Sequence, residues 1–192
     1  MITLIPTNLH WLAGLAETAD LCAHGDVDFQ INGEIVVEST IGGHYAVGAA
    51  ALYLLRSLSL PHRFAKDTKH GQPLFPHCGH SMFASESTDD VVIMGCPHGA
   101  DLELRVAADE VTIHTGDGRN YRVTFAEWKI AVCQFSDAVQ DFYESSLDKD
   151  MEISDQHEVV GYERFRSEWS RRRAFAEGED ALRMDKASGG LK

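Results

Sequence analysis

The chain has 192 residues, of which 44% are hydrophobic and 24% are charged, and this composition indicates a folded globular chain rather than a disordered one. Its 17 basic and 30 acidic residues give a formal net charge of −13, which argues against general nucleic-acid binding, because phosphate contacts need a basic surface. Acidity serves solubility, and it also attracts basic partners.

The start of the chain and its cysteines bear on where the protein works. Residues 1–11 lack the basic stretch and long apolar run of a signal peptide, and the longest apolar run, 45–55, is shorter than the roughly 20 residues that span a membrane. The cysteines are too sparse for a disulfide scaffold: Cys22, Cys78, Cys96 and Cys133. We therefore expect a cytoplasmic protein with reduced thiols and no membrane contact.

The first third of the chain predicts two helices. Residues 8–24 follow a helical spacing, with Asn8 as the expected N-cap and Gly25 as the expected stop. Residues 44–58 are rich in alanine and leucine and apolar nearly all round, which predicts a buried helix. The stretch 61–80 is rich in proline and histidine and predicts a long loop, a kind of segment that often carries function.

Between these helices, residues 27–39 alternate apolar and polar side chains on both sides of an Asn-Gly pair, which predicts a β-hairpin. A two-residue turn would place Ile31 opposite Glu34 and break the apolar face. A three-residue connection, 32–34, keeps the apolar side chains together. We therefore expect the longer connection, with the pairs Ile31–Ile35 and Phe29–Val37.

From about residue 82 to 125 the period changes to two, and four short strand patterns separated by turn residues predict an antiparallel meander. Residues 126–146 return to helical spacing, and a last helix is expected over about 158–175, followed by a frayed end at 186–192. Because the strands cluster, we expect one α+β domain over 1–192: an antiparallel sheet, made of the hairpin and the meander, with helices packed mainly on one face.

Two stretches, 75–82 and 96–99, concentrate cysteine and histidine in a repeated Cys-x-His spacing. Alternate residues of an extended strand point to the same side, so two such strands side by side would present a Cys2His2 set that zinc accepts. The candidate ligands are Cys78, His80, Cys96 and His98. The spacing differs from common zinc knuckles, and the same residues also suit two ordinary turns or a reactive Cys78 beside a histidine. No other cofactor is expected.

Acidic residues dominate between 136 and 158, where eight carboxylates accompany one lysine, and five arginines follow between 164 and 173. The two runs either neutralise each other on a solvated surface or leave an acidic patch that docks a basic partner, with nearby aromatic side chains as anchors. The candidate contact residues are Asp141, Glu144, Asp148, Asp150, Glu152, Asp155, Tyr143, Tyr162 and Trp169.

Four pieces of the chain carry a family resemblance: GCPHGAD at 95–101, DGRNYRV at 117–123, FSDAVQDFYESS at 135–146 and FRSEW at 165–169. Over about residues 90–170 they resemble small bacterial proteins that are encoded beside secreted polymorphic toxins and are taken to be immunity proteins. The resemblance implies a cytoplasmic antidote that binds a cognate toxin and occludes its active site. It carries over no contact residue, and none of its motifs is a catalytic signature.

The sequence lacks the phosphate-binding loop, the dinucleotide-binding loop, the zinc-protease motif and the nucleophile elbow. We therefore expect a non-enzymatic protein that binds and occludes a cognate, basic bacterial toxin. The alternative is a zinc-binding enzyme or zinc-stabilised module built on the Cys2His2 set. A third possibility is a small-ligand domain with its pocket under the 61–80 loop.

Overall fold

The structure is a computed structural model that describes residues 1–38, 45–68, 71–79, 81–151 and 156–188. Its strands are β1 (Ile2–His10), β2 (His24–Ile31), β3 (Glu34–Val37), β4 (Phe75–Pro76), β5 (Ser81–Ala84), β6 (Val91–Met94), β7 (Gly99–Ala100), β8 (Leu102–Ala107), β9 (Glu110–Thr115) and β10 (Asn120–Thr124). Its helices are α1 (Val47–Ser57), α2 (Phe125–Glu144) and α3 (Gln156–Ser188). Every strand pair in the described ranges is antiparallel, so the expected α+β class is confirmed.

The N-terminal segment is a strand, and the helix expected over 8–24 is therefore wrong. β1 pairs with β2 along its length, and β2 pairs with β3, in a three-stranded sheet. Residues 11–23 form turns between β1 and β2. Leu12 and Leu15, which lie on the expected apolar helix face, are 49% and 46% exposed.

The buried carboxylate of Asp20 provides a physical reason for this difference. It accepts hydrogen bonds from the backbone N–H groups of Leu12 at 2.7 Å and Cys22 at 3.1 Å, so it takes donors that a helix would use. Asn8 (φ 52°) and Gly14 (φ 88°) adopt left-handed backbone, which interrupts a right-handed helix. Local side-chain bonds and strand pairing outweigh the helical spacing.

The hairpin between β2 and β3 has a two-residue turn, and not the expected three-residue connection. Asn32 (φ 53°) and Gly33 (φ 83°) are both left-handed, as the hairpin turn favoured by Asn-Gly requires. Ile31 therefore pairs with Glu34, and the expected Ile31–Ile35 pair is wrong.

A bulge in β3 then restores the apolar face. Phe29 pairs with Val37 as expected, while the next residue of β2 pairs with Ile35, so Val36 is the extra residue. Val36 and Val37 are both buried, and Ile35 is exposed. The bulge thus keeps Val37 paired with Phe29, as the three-residue connection was expected to do.

Helix α1 is the buried helix expected over 44–58. Every residue in it except Arg56 is buried, so the cation of Arg56 must find its partners inside the protein. Gly48 allows α2 to come close, because a Cβ at this position would lie 2.5 Å from the hydroxyl of Tyr143.

The meander expected over 82–125 has three strands and not four. β8, β9 and β10 form a three-stranded sheet in chain order, whereas β6 pairs with β5. β5 follows the long loop and was not indicated by the sequence pattern. A further two-residue pairing joins β4 to β7.

Helix α2 starts directly after β10 with a reciprocal cap. The Thr124 side chain accepts the N–H of Glu127, and the Glu127 carboxylate accepts the N–H of Thr124. The expected apolar stripe of α2 is confirmed by its buried residues: Trp128, Val132, Phe135 and Val139.

Helix α3 is longer than the expected 158–175 and packs its aromatic face inward. Phe165 and Trp169 are buried against each other at 5.5 Å between ring centroids, and Tyr162 stacks on Phe165 at 6.1 Å. A buried apolar cluster joins side chains of both three-stranded sheets to α1, α2 and α3. The first turns of α3 thereby come to lie beside the end of α2.

Candidate functional site

The predicted acidic contact residues lie at the end of α2 and in the loop before α3. Asp141 and Glu144 are exposed on the last turns of α2, and Asp148 is exposed in the loop. Asp150 is half-buried beside them. Two further candidates, Glu152 and Asp155, lie outside the described residues.

Tyr143 and Trp169 are core residues, so their expected role as exposed anchors is wrong. Tyr143 is 7% exposed and Trp169 is 3% exposed. The Tyr143 hydroxyl accepts the N–H of Ala23 at 2.9 Å and donates to the carbonyl of Leu21 at 3.1 Å. Burial raises the pKa of this hydroxyl well above its usual value, so it remains a donor. Tyr162 is half-exposed and remains a candidate anchor.

The ion pairs of the α3 arginines lie mainly outside the acidic run. Three of them bind acids elsewhere, in the ion pairs Arg164–Asp89, Arg171–Asp90 and Arg172–Glu168. Arg173 reaches the acidic run, where it binds both oxygens of Asp137 at 2.7 and 2.9 Å. Within the described residues, Asp141, Glu144 and Asp148 make no ion pair.

A groove of about 740 Å³ runs between the end of α2, the following loop and the start of α3. We call it the acidic groove, and its charged and aromatic lining residues are Glu144, Asp148, Glu163, Lys149, Arg166 and Tyr162. Three carboxylates and two cations thus line one concave surface. Several of the predicted contact residues meet in this groove although they belong to different elements.

Both cations of the acidic groove are held by the protein itself. The Lys149 ammonium lies 3.2 Å from the Trp11 ring centroid and donates to the Glu17 carbonyl at 2.7 Å, and burial lowers the pKa of Lys149. The Arg166 guanidinium lies 5.6 Å from the centroid of the Tyr143 ring. These contacts turn positive charge toward aromatic faces, while the carboxylates remain directed at solvent.

Cys78 and Cys96 lie side by side, as the zinc hypothesis requires. The backbone N–H of Cys96 points at Cys78 Sγ, 2.7 Å away. A hydrogen bond from the Cys78 side chain lowers the pKa of the Cys96 thiol, and burial raises the pKa of the Cys78 thiol.

The other half of the predicted Cys2His2 set does not join this pair in the described structure. His98 is exposed, and His80 lies outside the described residues. Across the described ranges, no group of three or more His, Cys, Asp or Glu side chains is arranged to hold a metal ion. The structure therefore shows a pair of thiols and no completed zinc site in the residues it describes.

Another cavity, of about 360 Å³, lies between α1, β6 and the loop that starts at Pro61, where a small-ligand pocket was considered. Two enclosed atoms in its lining residues, His62 Nε2 and Gln72 Oε1, have no hydrogen-bond partner in the described structure. Burial lowers the pKa of His62 to about 4, so the ring is neutral at pH 7. Polar and apolar residues both line the cavity, among them Arg56, Gln72, Val91 and Ile93.

Glu168 is a buried charged residue that sequence reasoning missed. Its carboxylate accepts Nε and Nη2 of Arg56 at 2.8 and 2.7 Å, Nε of Arg172 at 2.6 Å and the N–H of Val91 at 2.8 Å. We call these four residues the Glu168 network, and it joins α3 to α1 and β6. Burial opposes the charge, but the bonds and charge of Arg56 lower the pKa of Glu168 to about 2.

A sequence signal for Glu168 did exist. It lies three residues after Phe165 and directly before Trp169, both of which are buried, so it falls on the apolar face of a helix. A carboxylate in that position is almost always paired. The FRSEW motif is therefore explained by packing and by the Glu168 network.

None of α1, α2 and α3, as far as the structure describes them, combines the length and the apolar composition of a membrane span. No family model, curated protein or solved structure matches the chain. Its function must therefore be inferred from geometry and charge.

Proposed function

We propose that this protein is an immunity protein that binds a cognate, basic bacterial toxin through the acidic groove and occludes the toxin's active site. The observation that carries the proposal is charge without internal compensation. Glu144, Asp148 and Glu163 line the groove and make no ion pair within the described residues. A partner that presents lysine or arginine side chains would supply the missing cations.

The net charge of −13 supports the same partner class at longer range. Summed charge of one sign steers an oppositely charged protein toward the surface and raises the association rate. The exposed acids of the groove would then contact the approaching partner directly at the docking surface. Fast capture is useful to an antidote, because the toxin must be neutralised before it acts.

The acidic groove also offers apolar contact area. Leu147 lines it and is 63% exposed, and Tyr162 is half-exposed beside it. Stable interfaces combine an aromatic or aliphatic anchor with a polar rim. Leu147 and Tyr162 supply the anchor, and the carboxylates supply the rim. The resemblance of residues 90–170 to immunity proteins supports a secreted bacterial toxin as the class of partner.

Co-expression with the protein encoded by the adjacent gene tests the proposal. We expect the tagged chain to retain that protein on an affinity column at low and high salt, and to protect the host cells when the partner is expressed. If the partner is retained at neither salt concentration and its effect on growth is unchanged, the proposal is wrong.

A charge-reversal variant locates the contact. Glu144→Lys/Asp148→Lys/Glu163→Lys reverses the three carboxylates that line the acidic groove and should abolish protection at low expression of the chain. The matched control, Glu34→Lys/Glu38→Lys/Asp67→Lys, changes the net charge equally at exposed positions elsewhere and should still protect. Equal loss in both variants would place the contact outside the acidic groove.

A further inference from the structure

The pairings β4–β7 and β5–β6 belong to one interrupted ribbon. Both are antiparallel, and their reference pairs are Phe75–Ala100 and Ser81–Met94. From the first of these pairs to the second, the residue number rises by six on one strand and falls by six on the other. The two ladders therefore share one register. In the described residues, the interruption includes 78–79 on one strand and 95–97 on the other.

Cys78 and Cys96 lie diagonally across this interruption: the shared register places Cys78 opposite Pro97, and Cys78 Sγ reaches the backbone nitrogen of Cys96. The backbones approach so closely that a Cβ on Gly95 would lie 2.0 Å from the carbonyl oxygen of Cys78. On one side the N–H of His77 donates to the carbonyl of His98 at 3.0 Å, and on the other side β5 pairs with β6. The two cysteines are therefore held together from both directions.

The Cys78 side chain contacts the backbone of Cys96. Cys78 Sγ lies 2.7 Å from the backbone nitrogen of Cys96, so the first sulfur contacts the residue that carries the second thiol. Both residues are half-buried, so a small reagent can reach them. A disulfide needs neighbouring backbones, and the ribbon supplies them at this point.

We propose that Cys78 and Cys96 form a reversible intramolecular disulfide, with glutathione disulfide as the oxidant. The thiolate of one cysteine attacks a sulfur of glutathione disulfide, which forms a mixed disulfide and releases one glutathione thiolate. The second cysteine loses its proton and attacks the protein sulfur of the mixed disulfide, which releases the second glutathione. Two protein thiols are oxidised, and one glutathione disulfide is reduced to two glutathione molecules.

The remaining cysteines are placed differently. Cys22 is completely buried, and burial raises the pKa of its thiol to about 12, so it supplies little thiolate at neutral pH. Cys133 lies on α2 and not on the ribbon. The modification is therefore specific to the pair at the ribbon interruption, and it closes that interruption with a covalent bond.

Peptide mapping of the purified full-length chain tests the proposal. The chain is stripped with a metal chelator, equilibrated in glutathione buffers of increasing oxidised fraction, acid-quenched, alkylated with N-ethylmaleimide and digested without reductant. We expect a peptide that links Cys78 to Cys96, formed within single chains and lost again in reduced glutathione. Separate glutathione adducts without the linked peptide, or links only between chains, would overturn the proposal.

Single substitutions sharpen the result. In Cys78→Ser or Cys96→Ser the remaining cysteine of the pair should keep a glutathione adduct, because no neighbouring thiol displaces it, whereas Cys133→Ser should leave the Cys78–Cys96 link unchanged. Metal analysis before the chelation step separates the zinc alternative. One equivalent of zinc that is lost in both ribbon variants would assign the pair to metal binding and contradict the disulfide.

Discussion

Two neighbouring regions of α3 handle charge in opposite ways. In the Glu168 network, a fully buried carboxylate is enclosed by Arg56, Arg172 and a backbone N–H. In the acidic groove, one or two turns earlier, Glu163 lies with the carboxylates of α2 and the loop and has no cation of its own within the described residues. The network satisfies its charges internally, whereas the carboxylates of the groove make no ion pair within the described residues.

This difference separates charge that builds the fold from charge that is available for function. Removing one member of an enclosed ion network leaves its partner charged and desolvated, which is costly. Removing an exposed acid without a partner costs almost nothing and relieves repulsion on a chain of net charge −13. Substitutions in the Glu168 network should therefore lower the free energy of unfolding much more than substitutions in the acidic groove.

Glu168→Gln should have the largest effect. It leaves Arg56 and Arg172 without their shared counter-charge, and we expect the free energy of unfolding to fall by about 3–5 kcal/mol. Glu163→Gln, five residues earlier on the same helix and exposed, is the matched control and should change it by less than about 0.5 kcal/mol. Urea denaturation measures both. A loss below about 1 kcal/mol for Glu168→Gln would show that the network is not a main support of α3.

Tyr143→Phe should follow, with a loss of about 1–3 kcal/mol, because the N–H of Ala23 would remain buried without an acceptor. Tyr162→Phe serves as the control, since no hydrogen bond of the Tyr162 hydroxyl occurs among the described residues, and it should cost less than about 0.5 kcal/mol. Equal losses would contradict the assignment of Tyr143 to the core and Tyr162 to the groove. Thermal or urea unfolding provides the comparison.

Lowering the pH should reduce the free energy of unfolding in two steps, the first through His62 and the second through Glu168. His62 lies beside Arg56 in the small cavity and has its pKa lowered by burial to about 4, below its unfolded value, so its contribution is present above about pH 6.5 and is lost as the pH falls toward 4. The expected loss is about 2 kcal/mol, since half-burial screens part of the effect. Glu168, with a pKa of about 2, loses its contribution only below about pH 4.5.

His62→Gln distinguishes the two steps. Unfolding free energy measured from pH 7.5 to pH 3 should lose its slope above about pH 4.5 in this variant and keep its decline below that value. If the slope between pH 6.5 and 4.5 is unchanged, the neutral buried His62 is not its cause.

The smallest change in stability is expected for the acidic groove itself. Glu144→Lys/Asp148→Lys/Glu163→Lys should alter the free energy of unfolding by less than about 0.5 kcal/mol in either direction. The three positions are exposed and make no ion pair in the described part of the chain. A loss of about 2 kcal/mol or more would show that these acids support the fold.

The elements that the sequence predicted well are those whose side-chain pattern matches their burial. The stripe of α2 and the all-apolar α1 are read directly from spacing. The N-terminal strand could not be predicted in this way. The Asp20 carboxylate accepts the backbone N–H of Leu12, eight residues earlier in the chain, and spacing alone does not indicate such a bond. β5 was missed because its pairing with β6 depends on where the preceding loop ends.

The candidate site was predictable in its charges but not in its anchors. Acids between 136 and 158 were identified from composition, and Asp141, Glu144 and Asp148 are indeed exposed. Whether the arginines of α3 neutralise them depends on the rotation of that helix, which delivers Arg164 to Asp89 instead. Spacing also cannot tell that Tyr143 faces the core while Tyr162 stays half-exposed.

The central claim is that the unpaired acids of the groove guide a basic partner, and its most direct test is an association rate. With the protein encoded by the adjacent gene as partner, the rate constant of association should fall by about tenfold or more at low salt in Glu144→Lys/Asp148→Lys/Glu163→Lys. The control Glu34→Lys/Glu38→Lys/Asp67→Lys should lower it by less than about threefold. Equal reductions in both variants would contradict the claim.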